Sequence, residues 1–426
     1  MRGHTGTGWP AGNRNGRAAV KRRNKGMILV ISLWAVAIMA VIAIAVCGTV
    51  YMSQGQLRAV RTVNCNELAT QSAISAVCTQ LLADTSGATT ASNFPLTIND
   101  VEVTLRDSTI QDESARLNAN TVTVEMFAKL NGMNESAAKK FVAAREKLAE
   151  LRSDSKDEKK ANWPIADLPE LAKILTDATS LKYAANSYTT ADDADWYNAV
   201  GVCSEVAAIM KNLTVYSRQK NTDSSGQARV NINLAAADTL TQRLGDVLTS
   251  EQITAMVQSR AQNPFTNIVE LLTRQYEPVI DEKTVTVRID EDAFRKIADR
   301  VTVTDKTVLL GLVDVSSASQ DVLRTLPGLS ENDVTAITSW QQFKASPTDL
   351  AQNGIASLLD VLSADTLAAI APYITTRNHQ YRCVFIKNYA GNLEQYTACV
   401  IEKSDRNFGT IFRYDWSVFA SVGDNR

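Results

Sequence analysis

The sequence predicts an α+β chain: one long N-terminal helix, a small antiparallel sheet, and a large helical insertion of helix–hairpin–helix-like repeats. Three observations carry this. A charge-free apolar run passes without a break into an amphipathic stretch. Alternating segments stand at residues 94–106 and again at 381–420, with residues 107–380 between them. Within that interval a strand–helix–Gly turn–helix outline recurs three times. At 426 residues and 45% apolar content, the chain is long enough for about three folding units.

Charge and composition remove several function classes. The net charge of −2 hides an asymmetry: residues 1–25 carry Arg2, Arg14, Arg17, Lys21, Arg22, Arg23 and Lys25 and no acid, so the remainder is clearly acidic. Such a body does not attract nucleic acid by bulk charge. The two His, at 4 and 379, and six scattered Cys show no metal-ligand spacing. Neither a nucleophile elbow nor a phosphate loop is present. The expectation is a protein without cofactor or metal, and not an enzyme.

The first element is the helix over residues 27–84. Met27 to Cys47 contains no charged residue, enough to span a bilayer, and the preceding positive charges hold the N-terminus in the cytoplasm. A cleaved secretory signal would be shorter and end at a structural break. Here Leu57, Val60, Val63, Leu68, Ala73, Val77 and Leu81 continue the helical period. A simple signal anchor is the plain alternative.

The junction Lys21-Arg22-Arg23-Asn24-Lys25-Gly26-Met27-Ile28-Leu29-Val30-Ile31 resembles the leader of type IV pilin-like proteins. The resemblance implies that residues 1–26 are a prepilin leader, that a membrane peptidase cuts between Gly26 and Met27, and that the new N-terminus is methylated. Most members carry Glu at the fifth mature position, which here is Ile31. A carboxylate at that depth is costly unless paired, so its absence suits a subunit with no partner above it. Within the family that departure is typical of the large minor pseudopilin of type II secretion.

Next comes a short hairpin, Pro95 to Arg106, around Asn99-Asp100. Then Asp112-Glu113-Ser114-Ala115-Arg116-Leu117-Asn118-Ala119-Asn120 is nearly copied at Ala228-Arg229-Val230-Asn231-Ile232-Asn233 and more weakly at Val313-Asp314-Val315-Ser316-Ser317-Ala318. After each copy a helix ends at a Gly (Gly132, Gly245, Gly328), and Asn, Thr or Ser starts a second helix. The Asn or Ser after each strand is a candidate cap for the first helix. The repeats are expected at about 115–145, 228–275 and 313–365.

Helix–hairpin–helix units often bind DNA through a Gly-x-Gly turn with basic neighbours. None of these turns has the second Gly, and acids follow each: Glu135, Asp246 with Glu251, and Glu331 with Asp333. Anions there repel phosphate, so nucleic acid is an unlikely partner and protein packing is the expected use.

The Asp112–Asn120 stretch, Leu213-Thr214-Val215-Tyr216-Ser217, and Gly226 to Asn233 together resemble the protein K family of type II secretion pseudopilins (general secretion pathway protein K). Pro264-Phe265 fits the same part of that family. The long leader and an extra segment from Pro278 to Thr304 depart from it. The resemblance implies a single-pass inner-membrane protein with a periplasmic body, a tip subunit of the pseudopilus, acting in protein transport. Implied partners are other minor and major pseudopilins, the prepilin peptidase, the inner-membrane secretion platform and exported protein. The alternative is a membrane-anchored helix–hairpin–helix protein of a DNA-uptake system.

The C-terminal strands, Arg382–Tyr389, Leu393–Glu402 and Gly409–Trp416, complete a sheet of about five strands. A three-residue loop centred on Gly391 sets Cys383 opposite Cys399, a candidate disulfide at a non-hydrogen-bonded site; two buried free thiols are the alternative. Cys203 is the only other candidate partner. The run Leu151–Lys160 is expected to be a solvated loop, and Asp192, Asp193 and Asp195 a conceivable calcium cluster without the usual loop pattern.

Overall fold

The computed structural model describes residues 23–83, 94–99, 101–106, 110–153, 163–181, 203–280, 283–284, 286–343, 353–389, 393–404 and 407–418. Residues 1–22, the charge run from 154, the acidic cluster at Asp192, Asp193 and Asp195, and the turn at Gly391 lie outside them. The fold is α+β: a long N-terminal helix, a small antiparallel sheet and further helices.

Helix α1 (Arg23–Ala83) is 61 residues long and begins inside the basic N-terminal segment. The chain divides into two units, Met1–Glu67 and Leu68–Arg426, and the boundary falls within α1. In the first unit every side chain from Met27 to Cys47 is exposed. A helix that is apolar all round belongs in lipid or among other helices. In the second unit α1 buries Ala69, Ala73, Val77 and Leu81, a stripe at four-residue spacing.

The sheet comes from both ends of the second unit. Strands β1 (Leu96–Ile98) and β2 (Val101–Leu105) form the early hairpin, and Asn99 takes the turn at φ 48°. Strand β3 (Gln111–Asp112) is a sixth strand, one more than the alternation indicated. It is two residues long, too short to alternate, and pairs with the start of a C-terminal strand at Tyr381 and Arg382.

Between β3 and the C-terminal strands stand three copies of one closed unit, larger than the sequence outlines. The first runs β4 (Leu117–Asn118), α2 (Val124–Ala128), α3 (Glu135–Ser153), α4 (Leu168–Thr179), α5 (Ser204–Met210) and β5 (Leu213–Thr214). Strand β6 (Arg218–Lys220) follows. The second runs β7 (Val230–Asn231), α6 (Ala237–Leu244), α7 (Ser250–Gln262), α8 (Glu270–Thr273), the small ladder of β8 (Val279–Ile280) with β9 (Lys283–Thr284), α9 (Glu291–Ile297) and β10 (Val301–Thr302). Strand β11 (Val308–Leu310) then pairs with β6. The third runs β12 (Val313–Asp314), α10 (Gln320–Leu323), α11 (Glu331–Phe343), a 3-10 helix (Gly354–Asp360), α12 (Ala364–Ile370) and β13 (Ile374–Thr375).

In each copy the opening strand pairs in parallel with the closing one: β4 with β5, β7 with β10, β12 with β13. A seven-residue helix, α5, α9 or α12, always precedes the closing strand. The segment Pro278 to Thr304 is therefore not an addition between repeats. It holds the closing helix and strand of the second.

The last strands, β14 (Gln380–Tyr389), β15 (Leu393–Ser404) and β16 (Asn407–Val418), set the sheet order β1-β2-β14-β15-β16, with β3 on β14. Cys383 lies opposite Cys399. One hydrophobic core runs through all three repeats and takes in Ala398 and Val400 from the sheet.

Candidate functional site

Gly26, Met27 and Ile31 lie on consecutive turns at the start of α1. A Cβ built on Gly26 would meet nothing within 4 Å, so packing gives no reason for glycine there. Met27 and Ile31 are 66% and 59% exposed. Among the described residues α1 is the helix long and apolar enough to cross a membrane.

The repeat turns are held by the same interactions in each copy. The last residue of the opening strand, Asn118, Asn231 or Asp314, accepts from the backbone N–H two residues on, at 2.9, 2.9 and 2.8 Å. The strand-end side chain thus makes an Asx turn. Thr123 and Ser319 cap the first helices of copies one and three, and Ala236 at that place in copy two offers no side-chain cap. From the hairpin's second helix Arg145, Arg260 and Gln341 reach back to the carbonyls of Ala119, Ile232 and Val315, at 3.2, 2.7 and 2.7 Å. The second helices start on Asn134, Thr249 and Ser330, each accepting from a backbone N–H three residues on.

The turn glycines differ. Gly132 and Gly328 have φ of 86° and 79°, where any other residue is strained. Gly245 is right-handed, φ −69°, not the left-handed terminator its position suggested. A Cβ there would lie 2.4 Å from the Thr241 carbonyl oxygen, so close backbone approach requires the glycine. The turn acids are engaged within the chain: Glu135 with Lys139, Asp246 with Arg300 and Glu331 with Arg324.

A buried polar network joins the repeats to the sheet. Glu113, just after β3, receives Arg382 of β14, Arg116 at 2.7 Å and the Thr214 hydroxyl at 2.6 Å. Burial pushes this carboxyl up, but Arg382 and Arg116 outweigh it and hold it below the usual carboxylate range. Next to it, burial and the neighbouring Asp314 raise Asp112 well above that range. The Ser317 hydroxyl donates to Asp112 at 2.5 Å. Arg218 grips Glu402 with two bonds of 2.6 Å. In the sequence Asp112, Glu113, Arg116, Thr214 and Asp314 are motif positions and Arg382 and Glu402 strand limits, while Arg218 carries no mark there.

Cys383 and Cys399 are buried, and neither forms a disulfide in this structure. The third thiol beside them is Cys78 of α1, pushed up by burial and then by the neighbouring Cys399. Cys203, the partner named from sequence, instead sits at the N-cap of α5.

Among the described residues no cluster of His, Cys, Asp and Glu is arranged to hold a metal ion. A cavity of about 280 Å³ is lined by Arg229, Asp299, Arg377 and apolar side chains including Ile268, Leu309 and Ile355. Its charged groups are bound to one another, Asp299 receiving both guanidiniums. Burial and the positive charges of Arg377 and Lys403 lower His379 to about 4, so it is neutral at pH 7.

No family model matches the chain. No curated protein matches it. Among solved structures it is similar to a chain of the GspK-GspI-GspJ complex from the enterotoxigenic Escherichia coli type 2 secretion system, at 14% identity and a TM-score of 0.29, with 84% of this chain and 98% of that one covered.

Proposed function

We propose that the chain is a minor pseudopilin of a type II secretion system, anchored in the inner membrane by α1 with its body in the periplasm. The observation that carries this reading is the Gly26-Met27 junction at the head of one unbroken helix. That helix is lipid-compatible from Met27 to Cys47 and packs as part of a folded body from Leu68 onward. A signal anchor has no need of a helix continuous with its cargo domain, whereas a subunit drawn from the bilayer into a helical bundle does.

In this reading residues 1–26 are removed by prepilin peptidase and Met27 becomes the methylated N-terminus. Ile31 brings no carboxylate to pair with a subunit above, and the repeats make the body bulky. Both features suit the tip, where the subunit would start pseudopilus assembly with other minor and major pseudopilins on the secretion platform and meet exported protein. The role is structural rather than catalytic. Mass spectrometry of the protein from its own membrane tests the reading: a mature chain starting at N-methylated Met27 is expected. An intact Met1 or a cut beyond residue 40, in cells that hold the peptidase, would refute it.

A further inference from the structure

Half of the chain's six cysteines converge on one spot. Cys383 of β14 and Cys399 of β15 face each other in register. The approach of Cys78 follows from geometry. Lys387 Nζ lies 3.0 Å from the Thr70 hydroxyl, which ties β14 to α1 at that level. Eight residues on along α1, a rise of about 12 Å, stands Cys78. Four residues back along β14, about 13 Å, stands Cys383. Electrostatic coupling of Cys78 to both Cys383 and Cys399 matches that spacing, so Cys78 stands beside the pair, on the flank of the buried stripe that runs through Val77 and Leu81.

The three thiols differ in access. Cys383 is 1% exposed and Cys399 not at all, whereas Cys78 is only partly buried. An oxidant that must bring its own sulfur to a cysteine sulfur can reach Cys78 and is shut out from the other two. We propose that Cys78, Cys383 and Cys399 form one redox unit in which Cys78 is the entry thiol through which a low-molecular-weight disulfide oxidises the buried pair.

The steps balance. The Cys78 thiolate attacks glutathione disulfide, forming a mixed disulfide and releasing one glutathione thiolate. Cys399, as thiolate, attacks the Cys78 sulfur and expels the second glutathione. Cys383 then attacks the Cys399 sulfur and expels Cys78. The buried pair has lost two electrons to glutathione disulfide, its protons have passed to the departing thiolates, and Cys78 ends as the thiol it began as. Burial, with the neighbouring Cys399, raises Cys78 to about 11, so the relay is slow at neutral pH. Its product would lock the β14–β15 hairpin.

The full chain, reduced in detergent and freed of reductant, is exposed to glutathione disulfide at pH 8 and mapped by non-reducing peptide mass spectrometry. Cys383–Cys399 is expected to form, and at least tenfold more slowly in Cys78→Ser. Cys383→Ser removes the last step, so Cys78–Cys399 should accumulate; it keeps the proposal testable if Cys78→Ser folds poorly. Equal rates in wild type and Cys78→Ser, a glutathione adduct that persists on Cys78 in Cys383→Ser, or a buried pair that stays fully alkylatable after unfolding would each overturn the relay.

Discussion

Glu113 and Arg382 form an ion pair with almost no access to water, 0% and 2% exposed at the side chain. Glu113 stands between β3 and the first repeat, and Arg382 on the central strand β14, so the pair joins the sheet to the helical body. Removing one partner leaves the other charge buried, which costs about 3–5 kcal/mol. Glu113→Ala should therefore lower the unfolding free energy of the body, measured in urea, by that amount. Glu113→Met with Arg382→Met should recover much of it, because an apolar pair of similar volume strands no charge. A double-variant loss equal to the sum of the two single losses would mean that the pair has no energetic coupling.

The two neighbouring acids should give pH dependences of opposite sign. Glu113 is lowered, so its stabilisation is present above the ordinary Glu value of about 4.3 and is lost as pH falls through its depressed folded value. Asp112 is raised by burial and Asp314, so its contribution is present below the ordinary Asp value of about 3.9 and is lost as pH rises through the folded one. Asp112→Asn should make the protein more stable than wild type at pH 8, with the gain vanishing towards pH 4. Urea unfolding at the two values decides it, and a variant less stable at both would contradict the raised carboxyl.

These residues also mark the limit of what the sequence made legible. The long helix, the β14–β15 register and the threefold recurrence follow from periodicity, which the apolar side chains write directly into the order of residues. The register around Gly391 is arithmetic on alternation. The closing halves of the repeats were invisible because seven residues of helix carry too few turns to show a period. The signal that could have found them is the aliphatic-Thr pair at Leu213-Thr214, Val301-Thr302 and Ile374-Thr375. In each the Thr hydroxyl accepts from the N–H two residues on. Cys78 was missed because spacing along one helix says nothing about a strand three hundred residues away.

The repeat equivalence can be tested at two asparagines. Asn120 accepts from Ile165 N–H at 2.7 Å and donates to its carbonyl at 3.0 Å; Asn233 does the same with Phe265 at 2.9 and 2.9 Å. Copy three has Ser316 at that place. Alanine at either asparagine strands a backbone N–H and C=O, so each variant should lose about 1–3 kcal/mol. A loss at only one asparagine would show that the two clasps are not energetically equivalent.

The hairpin turns should not hold duplex DNA. Their acids already engage Arg300 and Arg324, so the adjacent guanidiniums are not free to take phosphate. A gel shift with the body from Leu68 onward is expected to show no retention at physiological salt. Sub-micromolar binding that weakens steeply with salt would instead favour a DNA-uptake role.

Gly26 offers the cleanest separation of processing from folding. Its added Cβ meets nothing within 4 Å, and it sits in helical backbone that any side chain adopts. Replacing glycine by leucine in a helix is favourable to stability by several tenths of a kcal/mol, about 0.8 kcal/mol at most. Gly26→Leu should therefore insert into the membrane and fold like wild type. If a peptidase reads this junction, the variant should keep residues 1–26 while its body shows unchanged protease resistance. A variant that still matures to Met27 would show that the glycine is not what the enzyme reads. Loss of folding along with loss of cleavage would contradict the open surroundings of Gly26. Retained leader on a folded body would leave recognition at the cleavage site as the glycine's role.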